Sequence, residues 1–238
     1  MSVANTPRDM TFAEYKRRLR SIRDTPYRLR FELGIDSDPP SEMFAKPNYI
    51  EMFTVAYDRA RQIARDVFGD QPIIAIVSAS PSPWSAPWGV TRYGEVRESA
   101  FDALAEMKFP AHDHVQQWVG YRFPHFYRDF GNKWENRAYA VSLKQMDLLL
   151  WNNLAHEIGI RPFAPVYSIF TDETCSVCLN AYDDRGMDVY AVERERIAPL
   201  YVQRAAWLNA YDRDWMADVF GDEVGAPQTA QPVIPDAR

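Results

Sequence analysis

Three strand-like segments follow one another late in the chain with no helix between them, and this order limits the possible folds more than any other feature. Residues 166–171, 176–182 and 187–192 are rich in β-branched and aromatic side chains, which is typical of strands. The turn Asp183-Asp184-Arg185-Gly186 joins the last two. A doubly wound nucleotide-binding fold would instead alternate strands with helices. The order therefore predicts an α+β fold.

Apolar periodicity predicts the remaining elements. Residues 49–68 and 144–158 have the spacing of amphipathic helices, and Gly69 and Gly159 stand where helix-ending glycines belong. Further helices are predicted from about Thr11, over 96–107, and over 197–220 with a break near Asp212; further strands are predicted at 27–33, 73–79, 115–123 and 137–143. We expect a mixed, largely antiparallel sheet covered by amphipathic helices. It would form a single domain over residues 10–220, between disordered tails at 1–9 and 221–238.

Charge is distributed unevenly along the chain. The net charge is −6, yet residues 1–30 contain eight Lys or Arg against three acids, so the remainder carries −11. An acidic body repels nucleic acid and membrane phosphates and attracts a basic partner. No apolar run approaches the roughly 20 residues that span a bilayer, and the first residues lack the apolar core of a secretory signal. With only Cys175 and Cys178 present, a cytoplasmic protein without disulfides is expected.

Three stretches carry a family resemblance. They are Leu29-Arg30-Phe31-Glu32-Leu33-Gly34, then Tyr182-Asp183-Asp184-Arg185-Gly186-Met187-Asp188-Val189, and an aromatic-rich run from Leu200 to Arg213 that includes Trp207 and Tyr211. Together they resemble the bacterial domain-of-unknown-function 3885 family. The resemblance implies an accessory protein of bacteria with no established activity. Toxin immunity and prophage regulation are two roles that it makes plausible.

Candidate chemical groups are few. Cys175-Ser176-Val177-Cys178 has redox or zinc spacing, but inside a predicted strand residues three apart point to opposite faces, so both cysteines are predicted to be inert. In an extended chain His112 and His114 share a face, which His125 or Asp129 would complete as a metal site. We predict no metal, no cofactor and no catalytic residue.

The turn at residues 183–186 has a structural interpretation. Asp183 and Asp184 favour turn entry, Gly186 supplies a positive φ, and Arg185 pairs with an acid across the turn. Arg30 and Glu32 on the first strand are candidates to join this polar turn.

Trp84 and Trp88 are the candidate partner-binding residues, with Tyr93 beside them. They lie in a segment, residues 80–94, that three prolines stiffen, and an aromatic ring on a stiff loop loses little entropy on binding. The alternative is that both rings cap the core.

The leading functional hypothesis is a non-enzymatic protein that binds another protein, of basic character, as a toxin-neutralising immunity partner would. One alternative is a prophage-type regulator that binds nucleic acid through the basic helix at Lys16 to Arg23. Another is a hydrolase or metal enzyme that uses His112, His114 and Asp183.

Overall fold

The computed structural model describes residues 12–34, 49–79, 100–120 and 134–221. The helices are α1 Phe12–Arg23, α2 Tyr49–Phe68, α3 Ala100–Glu106, α4 Leu143–Ile158, α5 Ala198–Gln203 and α6 Arg213–Phe220. The strands are β1 Arg28–Glu32, β2 Ile73–Ala79, β3 Gln116–Gly120, β4 Trp134–Val141, β5 Val166–Asp172, β6 Val177–Ala181 and β7 Gly186–Ala191. The tails predicted at residues 1–9 and 221–238 lie outside the described residues, apart from Gly221.

The seven strands form one open sheet in the order β1-β7-β6-β5-β2-β4-β3. The predicted single α+β domain is confirmed. Every strand pair in the described residues is antiparallel, so this part of the sheet has no parallel pairs. Strands β1 and β2 consequently run in the same direction, and both end at the same end of the sheet.

The larger hydrophobic core lies on the face that α2 and α4 cover. Helix α4 begins with a reciprocal cap: the Ser142 hydroxyl accepts the N–H of Gln145, whose side chain accepts the N–H of Ser142. Gly159 ends the helix with φ of 74°, a left-handed conformation that glycine adopts without steric cost.

Strands β5 and β6 separate where α4 crosses them. Their ladder contains only Phe170↔Leu179 and Thr171↔Cys178. Beyond it, the Asn153 side chain donates to the carbonyls of Ser168 and Ala181 at 2.7 and 3.0 Å. Its amide oxygen accepts the N–H of Ser168 at 2.9 Å. The buried Asn153 side chain therefore satisfies backbone groups that are left without a partner on the neighbouring strand where β5 and β6 separate.

Helix α1 covers part of the opposite face. Leu19 and Ile22 are buried in a smaller apolar cluster with Ile74, Ile76 and the two cysteines. The rest of this face carries polar residues towards β1 and β7. None of the helices in the described parts of the chain has the length and apolar character needed to cross a membrane.

The C-terminal region is not one helix. It is divided into α5, a 3-10 turn over Ala205–Trp207 and α6, and the predicted break near Asp212 matches the residue that precedes α6. Between them, Leu208 forms a β-bridge with Phe31 and the N–H of Asn209 donates to the carbonyl of Arg30 at 2.8 Å. The extended segment after Trp207 therefore lies along the outer edge of β1.

Candidate functional site

Three distant stretches of the chain meet at the β1 edge. Strand β1 pairs in register with β7, which brings Arg30 opposite Asp188 and Glu32 opposite Gly186. The segment at residues 208–212 follows the other side of β1. We call the group formed by Arg30, Glu32, Asp188, Asn209 and Asp212 the β1 corner.

The Arg30 guanidinium is held between two carboxylates. Its Nε donates to Asp188 Oδ1 at 2.8 Å, and its Nη1 forms an ion pair with Asp212 Oδ2 at the same distance. Asp188 is only 4% exposed, so its charge depends on this partner. The hydrogen bond to Asp188 raises the pKa of Arg30 above its ordinary value, and the group is charged at every physiological pH.

Two tyrosines complete the interior of the corner. The Tyr190 hydroxyl donates to Asp188 Oδ2 at 2.9 Å. Burial, and then the charge of Asp188, raises the pKa of both Tyr182 and Tyr190 well above the ordinary value. Both hydroxyl groups therefore remain protonated and cannot act as bases.

Glu32 holds the turn at residues 209–212. One carboxylate oxygen, Oε1, accepts the Asn209 side-chain amide at 2.9 Å and the N–H of Ala210 at 3.1 Å. Asn209 Oδ1 in turn accepts the N–H groups of Tyr211 and Asp212 at 3.0 and 3.2 Å. With the Asp212 ion pair to Arg30, every residue of the turn is tied by its side chain or N–H to β1 or to the turn itself.

Tyr211 lies at the tip of this turn and is 93% exposed. Trp215 on α6, also exposed, contacts the Arg28 guanidinium at 5.1 Å from the ring centroid. Single exposed large rings are ordinary. Surface loops are more mobile than the elements they connect, whereas hydrogen bonds hold the backbone beneath Tyr211. The corner thus presents an aromatic side chain whose backbone is already ordered.

The profile of the family described as "Domain of unknown function (DUF3885)" matches residues 10–212. The chain belongs to this family. All three stretches that carried the resemblance in the sequence fall in the β1 corner or in the segments that surround it. No curated protein and no solved structure matches the chain.

In this DUF3885 member the turn at residues 183–186 is built by Asp183. Its Oδ1 accepts the N–H groups of Arg185 and Gly186, both at 2.9 Å. Arg185 pairs with Asp183 Oδ2 at 2.6 Å while its own side chain is 82% exposed. Burial raises the pKa of Asp184.

Gly186 does not have the positive φ expected from the sequence, since only Gly69 and Gly159 have one among the glycines of the described segments. Glycine is needed at this position because there is no space for a side chain. A Cβ at this position would overlap the hydroxyl and ring of Tyr182. Arg30 and Glu32 do have polar partners. These are Asp188, Asn209 and Asp212, and not the residues of the turn at 183–186.

Both cysteines are buried and free. The expectation that they point to opposite faces is wrong, because Cys175 precedes β6 with φ of 54° and joins Cys178 in the cluster beneath α1. Burial raises the pKa of Cys175 to about 12 and that of Cys178 well above its ordinary value. Both are protonated thiols at neutral pH, and a thiol is a far weaker nucleophile than a thiolate.

The histidines do not lie on an extended segment as expected. The N–H of Asp113 donates to the carbonyl of Pro110 at 3.0 Å, which makes a turn. His112 Nε2 is 3.8 Å from Asp102, and the His114 ring lies against Tyr139. Within residues 12–34, 49–79, 100–120 and 134–221, no three His, Cys, Asp or Glu side chains are grouped as a metal site requires. His125 and Asp129 lie outside these residues.

The predicted partner-binding residues Trp84, Trp88 and Tyr93 also lie outside the described residues. The segment that contains them follows β2, which ends at the same end of the sheet as β1. On α1, Arg17 and Arg20 are exposed, whereas Arg18 donates to Glu14 and to the carbonyl of Thr174.

Sequence reasoning named Asp188 and Tyr211 only within the stretches that carry the family resemblance, and it did not nominate them or Asn209 as site residues. One signal for the first was available: Arg30 is a charge on a half-buried strand, and such a charge requires an acid on the neighbouring strand. The exposure of Tyr211 had no sequence signal, because it depends on how residues 208–212 turn around β1.

Proposed function

We propose that this chain is a non-enzymatic protein-binding module and that the turn at residues 209–212 is part of its contact surface, with Tyr211 as the anchor. The observation that carries the proposal is the 93% exposure of Tyr211 on a turn whose neighbouring residues are fixed by hydrogen bonds. Tyrosine is among the residues that dominate binding energies at protein interfaces.

The turn at residues 209–212 is already ordered in the free protein, which favours a role in binding. Association costs about 0.5–1.5 kcal/mol for each mobile side chain that it immobilises, and ordering a loop adds to this. At the β1 corner the backbone is already held by Glu32 and Asn209. Binding at Tyr211 then has only the ring to immobilise.

The chemistry of the corner supports binding over catalysis. Arg30 and the two aspartates are engaged with one another, and Asp188 is buried beneath them. Tyr182 and Tyr190 have raised pKa values and retain their protons. These groups stabilise the edge of the sheet rather than offering a base or a nucleophile to a substrate.

The partner that fits best is a basic protein. The chain carries a net charge of −6, and Asp214 and Asp218 are exposed on α6 beside the turn. Complementary charge speeds encounter and suppresses like-charged competitors. A bacterial immunity protein that neutralises a basic toxin in the cytoplasm has these properties, and the two buried, reduced cysteines suit that compartment.

Trp84 and Trp88 remain proposed as a second contact. Strands β1 and β2 end at the same end of the sheet with four strand spacings between them, about 19 Å. A single partner of ordinary size covers such a span, because a standard interface buries about 800 Å² on each side. The segment that follows β2 therefore begins within reach of a partner bound at Tyr211.

The test is site-specific photo-crosslinking in the native cell. A benzophenone amino acid replaces Tyr211 in one strain and Val119, 61% exposed on β3, in a matched control strain. We expect a discrete protein adduct from position 211 only, which mass spectrometry then identifies. Equal adducts from both positions, or none from position 211, would contradict the proposal, and an adduct with DNA would favour the regulator.

A further inference from the structure

A pocket of about 320 Å³ opens at the end of the sheet opposite to the β1 corner. Its walls come from α1, from the turn between β5 and β6, and from the segment that follows β7. None of its lining residues belongs to the β1 corner, so its role does not depend on the proposed protein binding.

Two arginines line this pocket. Arg18 projects from α1 and Arg196 from the 3-10 turn after β7, while Glu193 is the one carboxylate among the described lining residues. The lining itself carries two positive charges against one negative, in a chain whose net charge is −6. Glu14, which is not among the lining residues, pairs with Arg18, so what favours an anion is the guanidinium N–H groups that remain on both arginines.

Both guanidinium groups are positioned by the protein itself. Arg18 Nη1 donates to the carbonyl of Thr174 at 3.1 Å and Nη2 to Glu14 at 2.9 Å. Arg196 Nη2 donates to the carbonyl of Val67 and to Gln71 at 2.9 and 2.8 Å. A guanidinium has five N–H groups, so these contacts within the described residues leave donors on each for a ligand.

The remaining walls are neutral. Cys175 is buried at the pocket wall, and Val192 is 44% exposed at the rim. The nearby Asp172 does not line the pocket. Its carboxylate accepts the N–H of Ser176 at 2.7 Å and the hydroxyl groups of Ser176 and Thr174. Its oxygens therefore face the turn between β5 and β6.

We infer that this pocket binds a small organic phosphate, with Arg18 and Arg196 holding the phosphate group and Val192 contacting the apolar part. A carboxylate is satisfied by one arginine fork, whereas a phosphate monoester offers three terminal oxygens to donors on two walls. The apolar surface of Val192 gives no interaction to an inorganic ion and favours a ligand with an organic body.

The test is calorimetric titration of the full chain with phenyl phosphate and with inorganic phosphate. We expect saturable binding of phenyl phosphate and weaker binding of inorganic phosphate. Arg18→Gln should weaken binding about tenfold, the loss of a hydrogen bond to a charged group. Arg17→Gln is the matched control, since it removes the same charge one residue away, on a side chain that is 76% exposed, and should leave affinity unchanged.

Val192→Glu is a second variant that removes no hydrogen-bonding side chain. It places a negative charge at the rim and should abolish binding without a change in melting temperature. Absence of saturable binding by the unmodified chain would overturn the inference. So would equal weakening by Arg17→Gln and Arg18→Gln, which indicates non-specific attraction, or inorganic phosphate binding as tightly as phenyl phosphate.

Discussion

Strands β1 and β3 are the two edges of one antiparallel sheet, yet their outer sides differ. The outer side of β1 carries the chain's own segment at residues 208–209, and the β1 corner fastens that segment. Within the described residues no strand pairs with the outer side of β3, where Val119 is 61% exposed. An edge closed by its own chain has satisfied backbone groups, and it can present a side chain such as Tyr211 from a fixed position.

The polar groups at the two edges differ in burial as well. At β3, Gln117 and Arg137 both contact Glu135 on the sheet surface. The Arg137 side chain is largely buried, but that of Glu135 is 37% exposed and stays in contact with water, and ion pairs with a solvated partner contribute about 0–1 kcal/mol. At β1, Asp188 is buried beneath Arg30, so the loss of one partner leaves an uncompensated charge. The comparison predicts that the loss of a buried partner at the β1 edge lowers the free energy of unfolding more than a loss at the β3 edge. It also predicts that the structural effect stays near β1.

The largest effect is expected from Asp188→Ala. It leaves Arg30 with Asp212 as its remaining carboxylate and Tyr190 without its hydrogen-bond partner, and the loss of these two hydrogen bonds to a charged group should lower the free energy of unfolding by about 3 kcal/mol. Chemical denaturation measures it. The control, Asp70→Ala at an exposed position, should stay within about 0.5 kcal/mol, and similar losses for both would refute the burial argument.

Gly186→Ala should have the next largest effect. The added methyl group meets the Tyr182 ring, and overpacking of this kind costs about 1–3 kcal/mol. In the Tyr182→Ala background the same substitution should cost clearly less, because the overlap is gone. Gly221→Ala, where a Cβ has only an ordinary contact with Ala217, serves as the control; an undiminished cost in the double variant would count against the explanation.

Glu32→Ala should have a smaller and more local effect. It removes the acceptor of Asn209 and Ala210, with a stability loss of about 1 kcal/mol for a half-exposed pair of hydrogen bonds. Hydrogen exchange should accelerate at the amides of residues 210–212 and stay unchanged at the β3 amides. Acceleration at both edges would show that the turn is not an independent local unit.

The helices and strands were predictable because each depends on local periodicity. The prediction of β2 at residues 73–79 and of α2 at 49–68 agrees with the structure. The pairing of β1 with β7 was not predictable, since it joins segments about 160 residues apart and no local pattern encodes it. The reason for Gly186 was missed for a different cause: it depends on the space that the Tyr182 ring occupies across the hairpin and not on a backbone angle.

The β1 corner was predictable only in part. Arg30 and Glu32 could be recognised as charges in need of partners, but Asp212 and Asn209 become their partners only after residues 208–212 pass along β1. The candidate partner-binding residues Trp84, Trp88 and Tyr93 stay predictions, because they lie outside the described residues.

The smallest effect on stability is expected from Tyr211→Ala, and this variant tests the central claim most directly. The ring contacts solvent, so the free energy of unfolding should change by no more than about 0.5 kcal/mol. Affinity for the partner identified by crosslinking should instead fall about 30-fold or more, the loss of an anchor worth about 2 kcal/mol. Val119→Ala, on the other edge, should leave both quantities unchanged. Full affinity in Tyr211→Ala, or equal losses for the two variants, would contradict the account.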